Sequence, residues 1–301
     1  MYDLIIIGGG PAGLTAAIYA IRKRLNVLLL TKDLGGKTNY RLALPWVQDY
    51  QVVRGLEVVS KFRNELEYLD FARHMEPVEK VSKRNGGFVT TTTSGAELEA
   101  KAVIIATGAR QVRMGVPGEK QFTMKGLCYS ALSYAPLFID KTTIVIGDDD
   151  LALRSTAELA TIAKKVYLVC NSDQALETPL GKKLQNAANV SLLRHVEVVD
   201  VMGDEYARAL RLRDDKGKTT EYEADGMFVE KALTPNSEIV KYLVNLDDHG
   251  RVIIDGENRT NVPGVFAAGD VTTDFAEQVL IAVGDGAKSA LSAYEYLLPT
   301  L

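Results

Sequence analysis

An α/β fold is predicted by two stretches of the 301-residue chain that read alike. LIIIGGGPAGLTAAIYAIRKRLNVLLLT (4–31) runs from a continuous apolar strand through a glycine turn and a helix to a second apolar strand. TTIVIGDDDLALRSTAELATIAKKVYLVCNSD (142–173) repeats that order. Buried parallel strands read as near-continuous apolar runs. The repeat therefore predicts two Rossmann-like dinucleotide-binding domains.

In the first copy, Gly8, Gly10 and Gly13 fit G-x-G-x-x-G. The first glycine permits a tight turn, the second lets a pyrophosphate approach the backbone, and the third lets the helix pack close to the strand. The helix N-terminus then offers its positive dipole end to the phosphates. The pattern is weak alone, but here it lies between a strand and a helix. One feature departs from it. The second strand ends in Thr31, where an acid often holds a ribose hydroxyl, and either Lys32 or Asp33 is left to substitute.

Composition bounds the function. Apolar residues make up 47% and charged residues 25%, a soluble globular mix with enough material for two domains. A net charge of −4 gives no reason to expect nucleic acid or an anionic membrane as partner. No apolar run approaches the roughly 20 residues that span a bilayer. MYDLIIIGGG lacks a basic n-region and reads as a first strand. Cys128 and Cys170 form neither a C-x-x-C nor a metal-ligand spacing, so no metal site and a reducing, cytoplasmic setting are expected.

Three further segments narrow the class. AVIIATGAR (102–110) is a strand ending in Ala106–Thr107–Gly108, and VPGVFAAGDV (262–271) is a strand ending at Gly269–Asp270. EQVLIAVGDGAKSALSAYEYL (277–297) is a helix that follows directly. With GGGPAG, these motifs resemble the low-molecular-weight thioredoxin reductases and related two-domain flavoprotein oxidoreductases, over essentially the whole chain. The resemblance implies FAD. Gly8, Gly10, Pro11, Ala12 and Gly13 would cradle its pyrophosphate, with Gly35 and Gly36 near the flavin side. Ala106, Thr107 and Gly108 would join the cofactor site. Asp270 would hydrogen-bond the ribityl chain. Gln278 and Val279 would sit by the isoalloxazine at a helix N-terminus, where the dipole favours the anionic reduced ring. The resemblance also implies a discontinuous FAD domain, 1–110 and 244–301, an inserted domain, 111–243, and a homodimer.

In that family the second copy binds NADPH. Here its glycine positions read Gly147, Asp149 and Ala152. Asp149 puts a side chain where a pyrophosphate must touch backbone, and Asp148 and Asp150 flank it. One like-charge contact at about 4 Å costs roughly 1 kcal/mol in water and about 4 near a protein surface. The same acids suit a helix cap. After the strand, the family's His-Arg-Arg run is replaced by Cys170, Asn171 and Ser172. In VEKALTPNSEI (229–239), Pro235 and Asn236 fit the family, but Glu230 and Lys231 replace a small, apolar approach. These departures argue against NADPH and leave a degenerate NAD(P)H-binding-like domain.

GLCYSALSYAP (126–136) lies where the family carries its redox C-x-x-C. The cysteine positions hold Ser130 and Ser133. Serine cannot cycle between dithiol and disulfide, so no catalytic residue is assigned there. Cys128 is read as a free thiol or as a small apolar residue. Tyr134 is read as a proton donor, a stacking partner or a packing residue. Trp46, the only tryptophan, either stacks on the flavin or packs.

The expected function is an FAD-dependent oxidoreductase without the dithiol and without NADPH use, exchanging electrons directly at the flavin. A protein donor of ferredoxin or flavodoxin type would serve it. The space left by the dithiol would admit a second bound ligand, even another flavin. Two alternatives stand beside it: a non-enzymatic flavin-binding sensor or regulator, and an NAD(P)H-dependent flavin reductase on the thioredoxin reductase fold.

Overall fold

The computed structural model describes residues 1–47, 55–67, 69 and 72–301. Along the chain run β1 (Tyr2–Ile7), α1 (Pro11–Arg22), β2 (Val27–Leu30), α2 (Leu56–Glu67), β3 (Arg73–His74), β4 (Val78–Arg84), β5 (Gly87–Thr92), β6 (Glu97–Ile105) and β7 (Ala109–Arg110). Next come α3 (Glu119–Phe122), β8 (Leu127–Cys128), α4 (Ala131–Tyr134), β9 (Thr142–Ile146), α5 (Asp150–Ala160), β10 (Lys165–Val169), α6 (Asp173–Glu177), α7 (Pro179–Gln185) and β11 (Val190–Leu193). The remainder is β12 (Val196–Gly203), β13 (Ala207–Asp214), β14 (Thr219–Glu223), β15 (Gly226–Val229), β16 (Thr234–Pro235), β17 (Val265–Ala267) and α8 (Val279–Leu297).

The chain divides into two compact units. The first comprises Met1–Asn39, Arg54–Arg110 and Thr234–Leu301. The second comprises Tyr40–Val53 and Gln111–Leu233. The division after Arg110 coincides with the expected one, while the return falls at Thr234 instead of 244 and a segment from Tyr40 joins the second unit. The return falls at Thr234 because Thr234 and Pro235 pair antiparallel with Arg110 and Ala109 as a short ribbon. The segment from Tyr40 joins the second unit because Ala43 bridges to Lys125, and Leu42 and Leu44 enter that unit's core.

The first unit is built on a sheet of order β3-β2-β1-β6-β5-β4, with β17 paired to the end of β6. β1, β2, β3, β6 and β17 are parallel, while β4 and β5 are antiparallel. Side chains alternate across a strand, and β1 fills both faces. Leu4 and Ile6 pack under α1, α2 and α8 with Leu14, Ile18, Leu66 and Ala293. Ile5 and Ile7 pack on the other face with Val103, Val240 and Val252. That two-sided burial accounts for the unbroken apolar run.

The second unit carries the repeat on a parallel sheet of order β11-β10-β9-β15-β8. Val145, Leu168 and Phe228 face α4, α5 and α7. Ile144, Ile146 and Met227 face the antiparallel β12-β13-β14 sheet through Val201 and Leu210. β9–α5–β10 thus reproduces β1–α1–β2.

α1 and α8 approach closely because Gly286 presents no side chain: a Cβ there would collide with the carbonyl oxygen of Ala12. Ala in a helix interior gains about 1 kcal/mol over Gly by propensity. Against a backbone atom that cannot yield, overpacking of roughly 1–3 kcal/mol wins. Gly286→Ala is therefore expected to lower the urea midpoint of the protein, and a raised midpoint would count against this packing.

Candidate functional site at the carboxyl edge of the first sheet

The loops that leave β1, β2, β6 and β17 at their carboxyl ends lie together within the first unit. Gly8 has φ +113°, and a Cβ on it would strike the carbonyl oxygen of Ala106, so the turn after β1 presses on the turn after β6. Gly13 backs onto the carbonyl of Gly8 in the same way. Gly10 differs: the space a Cβ would enter has no heavy atom within 4 Å. It is also the N-cap of α1, with extended backbone, and no side chain caps the helix. Pro11 follows, and the first turn contains no acid. The leading N–H groups of a helix have no partner within it. Here no side chain caps them, and the positive dipole end of the helix suits an anion.

The turn after β2 supports this one. Gly35 (φ +109°) donates its N–H to Gly9 O at 2.7 Å. A Cβ on Gly36 would lie 3.1 Å from the Cα of Gly10. Of the two residues left open for the ribose, Asp33 is engaged locally: its Oδ1 accepts the N–H of Gly36 at 2.9 Å. Lys32 is exposed. After β6, Thr107 Oγ1 donates to Asn236 O at 2.7 Å, and Asn236 Nδ2 donates to Thr107 O at 2.9 Å. Asn236 N donates to Gly108 O at 2.9 Å, so the ends of the β7–β16 ribbon are tied together.

After β17, Gly269 (φ +74°) rests against Ala12, where a Cβ would come within 3.1 Å of the alanine's own. Its N–H donates to Asp285 Oδ2 at 3.2 Å. Asp270 follows, and the ammonium of Lys37 lies 2.5 Å from its Oδ2. Among the described residues no protein donor reaches Asp270 Oδ1. Gln278 is the extended N-cap of α8, with no side-chain cap, and Val279 opens the helix.

Two acids here are held toward their protonated forms. The protein crowding the Glu277 carboxyl raises its pKa, and the charge of Asp270 raises it further, while Lys37 and Arg251 pull it down. Asp285 is 3% exposed, and its pKa is pushed up to about 6, first by burial and then by its hydrogen bond with Asp274.

The second unit treats the same architecture differently. Gly147 ends β9 as Gly8 ends β1, and a Cβ on it would strike the carbonyl oxygen of Glu230. Asp149 is the N-cap of α5, and its Oδ1 accepts N–H groups from Leu151 and Ala152 at 3.1 and 3.2 Å. Asp148 Oδ1 accepts the N–H of Asn171 at 2.6 Å. Asp150 pairs with Arg154 at 2.6 Å. Asn171 also exchanges hydrogen bonds with the backbone of Val196, and Ser172 caps α6 through Ala175 N. Arg194 pairs with Asp173.

The serine positions are structural as well. Ser130 caps α4, its Oγ accepting Ser133 N at 3.3 Å and donating to Ser133 Oγ at 3.0 Å. Buried Glu230 completes the cap by accepting Ala131 N–H at 2.6 Å. Cys128 is fully buried, and burial pushes its thiol pKa well above the ordinary range. Cys170 is buried, its thiol also raised by burial, and no disulfide forms. Tyr134 OH donates to Tyr40 O at 3.3 Å. Trp46 packs within the second unit. Its ring meets Phe138 edge-on at 5.7 Å, and its Nε1 donates to Leu137 O at 3.0 Å.

All fourteen residues expected at the cofactor site therefore fall in one unit, on adjoining loops. Sequence reasoning missed Lys37, Glu277 and Asp285. Adjacency of Lys37 to Gly35–Gly36, and of Glu277 to Gln278, was the available signal. Among the described residues no cluster of three metal-ligating side chains occurs, and no helix is long and apolar enough to cross a membrane.

Two such sheets, one edged by glycine turns around a helix start that no side chain caps, are the architecture of a two-domain dinucleotide-binding fold. The chain belongs to the pyridine nucleotide-disulphide oxidoreductase family, whose model matches residues 2–286. The alkyl hydroperoxide reductase F-subunit of Staphylococcus aureus (strain Mu50) is 33% identical over 300 residues, covering 99% of this chain and 59% of that protein. The chain thus spans about three-fifths of the length of the curated relatives it matches. Thioredoxin reductase from Streptococcus pyogenes MGAS5005 superposes with a TM-score of 0.89 at 33% identity, covering 99% of each chain. A ferredoxin-flavin thioredoxin reductase from Clostridium acetobutylicum gives a TM-score of 0.50 at 27% identity, covering 99% of this chain and 98% of that one. The chain has the thioredoxin reductase-like fold of this family.

The raised pKa of Asp285 has a stability consequence. The folded state keeps this proton up to about pH 6, whereas an unfolded aspartate releases it near 4. Its contribution is therefore full below the unfolded value and lost as pH rises through about 6. Asp285→Asn retains an oxygen for Gly269 N–H and has no charge to bury. Urea unfolding is expected to find the variant gaining on wild type between pH 4 and 7. Equal pH profiles would refute the shift.

Proposed function

We propose that this chain is an FAD-dependent oxidoreductase that exchanges electrons directly at the flavin, without an active-site dithiol and without NADPH. The observation that carries this reading is the contrast between two equivalent helix starts. α1 begins at Gly10 with open space and uncapped N–H groups, as an incoming pyrophosphate needs. α5 begins at Asp149, whose carboxylate already accepts those hydrogen bonds. A pyrophosphate at α5 would have to displace that carboxylate and face its charge.

The residues of the first unit fit FAD. The turn Gly8, Gly10, Pro11, Ala12 and Gly13 with the α1 N–H groups would hold the pyrophosphate, backed by Gly35, Gly36 and the Ala106–Thr107–Gly108 turn. Gly269 would bring Asp270 to the ribityl chain, with Oδ1 available to accept a hydroxyl. Gln278 and Val279 would supply a helix N-terminus that favours negative charge at the ring. When bound, FAD supplies the centre that takes up and releases electrons. The protein's part is to bind it, orient it and set the charge around it.

Loss of the dithiol follows from residue chemistry. Ser130 and Ser133 have no thiol, and Cys128 is buried with its thiol held protonated. With Cys170, Asn171 and Ser172 occupied in packing and capping, the adenosine end of a nicotinamide cofactor finds no cation there. A protein donor of ferredoxin or flavodoxin type supplies the electrons; one solved structure of similar fold is named for a ferredoxin-flavin system. A homodimer in the cytoplasm completes the reading, and a second bound ligand in the degenerate domain is its variant.

Anaerobic titration of the yellow protein separates the alternatives. NADPH and NADH are expected to leave the flavin absorbance unchanged, while dithionite bleaches it fully. Prompt stoichiometric bleaching by either nucleotide would overturn the loss of nicotinamide entry and favour an NAD(P)H-dependent flavin reductase. Asp149→Ala removes the cap of α5 and is expected to cost roughly 1 kcal/mol by chemical denaturation, with FAD content unchanged. Loss of FAD would mean that the acid serves the cofactor after all.

A further inference from the structure

The ion pair between Lys37 and Asp270 lies at the entrance to the cradle. Lys37 is carried by the turn whose Gly35 is hydrogen-bonded to Gly9 and whose Gly36 backs onto Gly10. Asp270 is carried by the turn whose Gly269 rests on Ala12. The two side chains therefore meet, at 2.5 Å, from loops packed on either side of the uncapped start of α1. Lys37 is 38% exposed and Asp270 14% exposed, so the carboxylate is the more buried partner.

The charges there are unbalanced without the lysine. Asp270 and Glu277 bring two carboxyl groups, and Lys37 acts on both. Arg251, the other cation felt by Glu277, is already paired with Asp247 at 2.7 Å. A diphosphate ester brings about two further negative charges. An unneutralised Asp270 beside it would repel it, at a cost of about one to a few kcal/mol by distance and exposure. The ammonium also holds one carboxylate oxygen and leaves the other as an acceptor.

We propose that Lys37 is a positioning residue of the flavin site: it acts through Asp270, neutralising and orienting that carboxylate so that an anionic dinucleotide can bind beside it. The inference rests on the FAD reading above. It assigns this role to a residue on the β2 side of the cradle.

The test is binding of FAD to apoprotein, followed by quenching of flavin fluorescence, for wild type, Lys37→Met, Lys37→Arg, Asp270→Asn and the double variant Lys37→Met/Asp270→Asn. Lys37→Met is expected to weaken FAD roughly tenfold. Lys37→Arg is expected to restore most of that loss. In the Asp270→Asn background, where no charge remains to neutralise, Lys37→Met is expected to cost less than twofold. Equal affinity of Lys37→Met and wild type would overturn the proposal. So would an undiminished effect in the Asp270→Asn background, which would mean that the lysine contacts the cofactor independently. A merely structural role predicts no rescue by the second substitution. Wild-type apoprotein that fails to bind FAD at all would instead remove the FAD reading, and this inference with it.

Discussion

An α-helix begins with backbone N–H groups that its own ladder cannot use, and something outside the ladder must meet them. This chain presents that constraint twice, because each unit repeats strand, turn and helix. At α1 the residue in the capping position is glycine, which has nothing to offer. At α5 it is aspartate, which offers a carboxylate at once. One helix start is left without a side-chain cap, and the other carries its own carboxylate. That difference is set by one residue type at equivalent positions.

The first unit packs its turns closely by leaving side chains out of them. Gly8, Gly13 and Gly269 bring backbone or a small methyl group to places where a larger side chain would collide. Gly286 does the same between α1 and α8. Lys37, Asp270 and Glu277 bring charge to the same turns. The carboxyl edge of the second sheet is filled by comparison. Asp148, Asp149, Glu230 and Ser130 all spend their oxygens on neighbouring N–H groups. Ser130 and Asp149 serve as helix caps.

Much of this was legible in the sequence. The two repeats, the glycine turns, the loss of the C-x-x-C and the acids at the second turn are all local, and local geometry follows from residue type at fixed spacing. The rest depended on contacts between residues far apart along the chain. Glu230 reads only as a misplaced acid until Ala131 N–H is found 2.6 Å away. Trp46 sits in a loop, and its contacts with Phe138 and the carbonyl of Leu137 could not be read from the sequence. The return to the first unit comes earlier in the chain than expected because a two-residue ribbon strand, Thr234–Pro235, has too little pattern to announce itself. Lys37 carries no motif, and its pairing emerges only when the loops after β2 and β17 come together.

The segment beginning at Tyr40 has a consequence for how this architecture can be taken apart. Leu42, Leu44, Trp46 and Val47 leave the first unit in sequence and pack into the core of the second. The second unit is therefore sewn into the chain at more than one place. Excising Gln111–Leu233 as a module would strand part of its own hydrophobic interior in the other half. A separable second unit would have to carry the segment from Tyr40 as well as Gln111–Leu233.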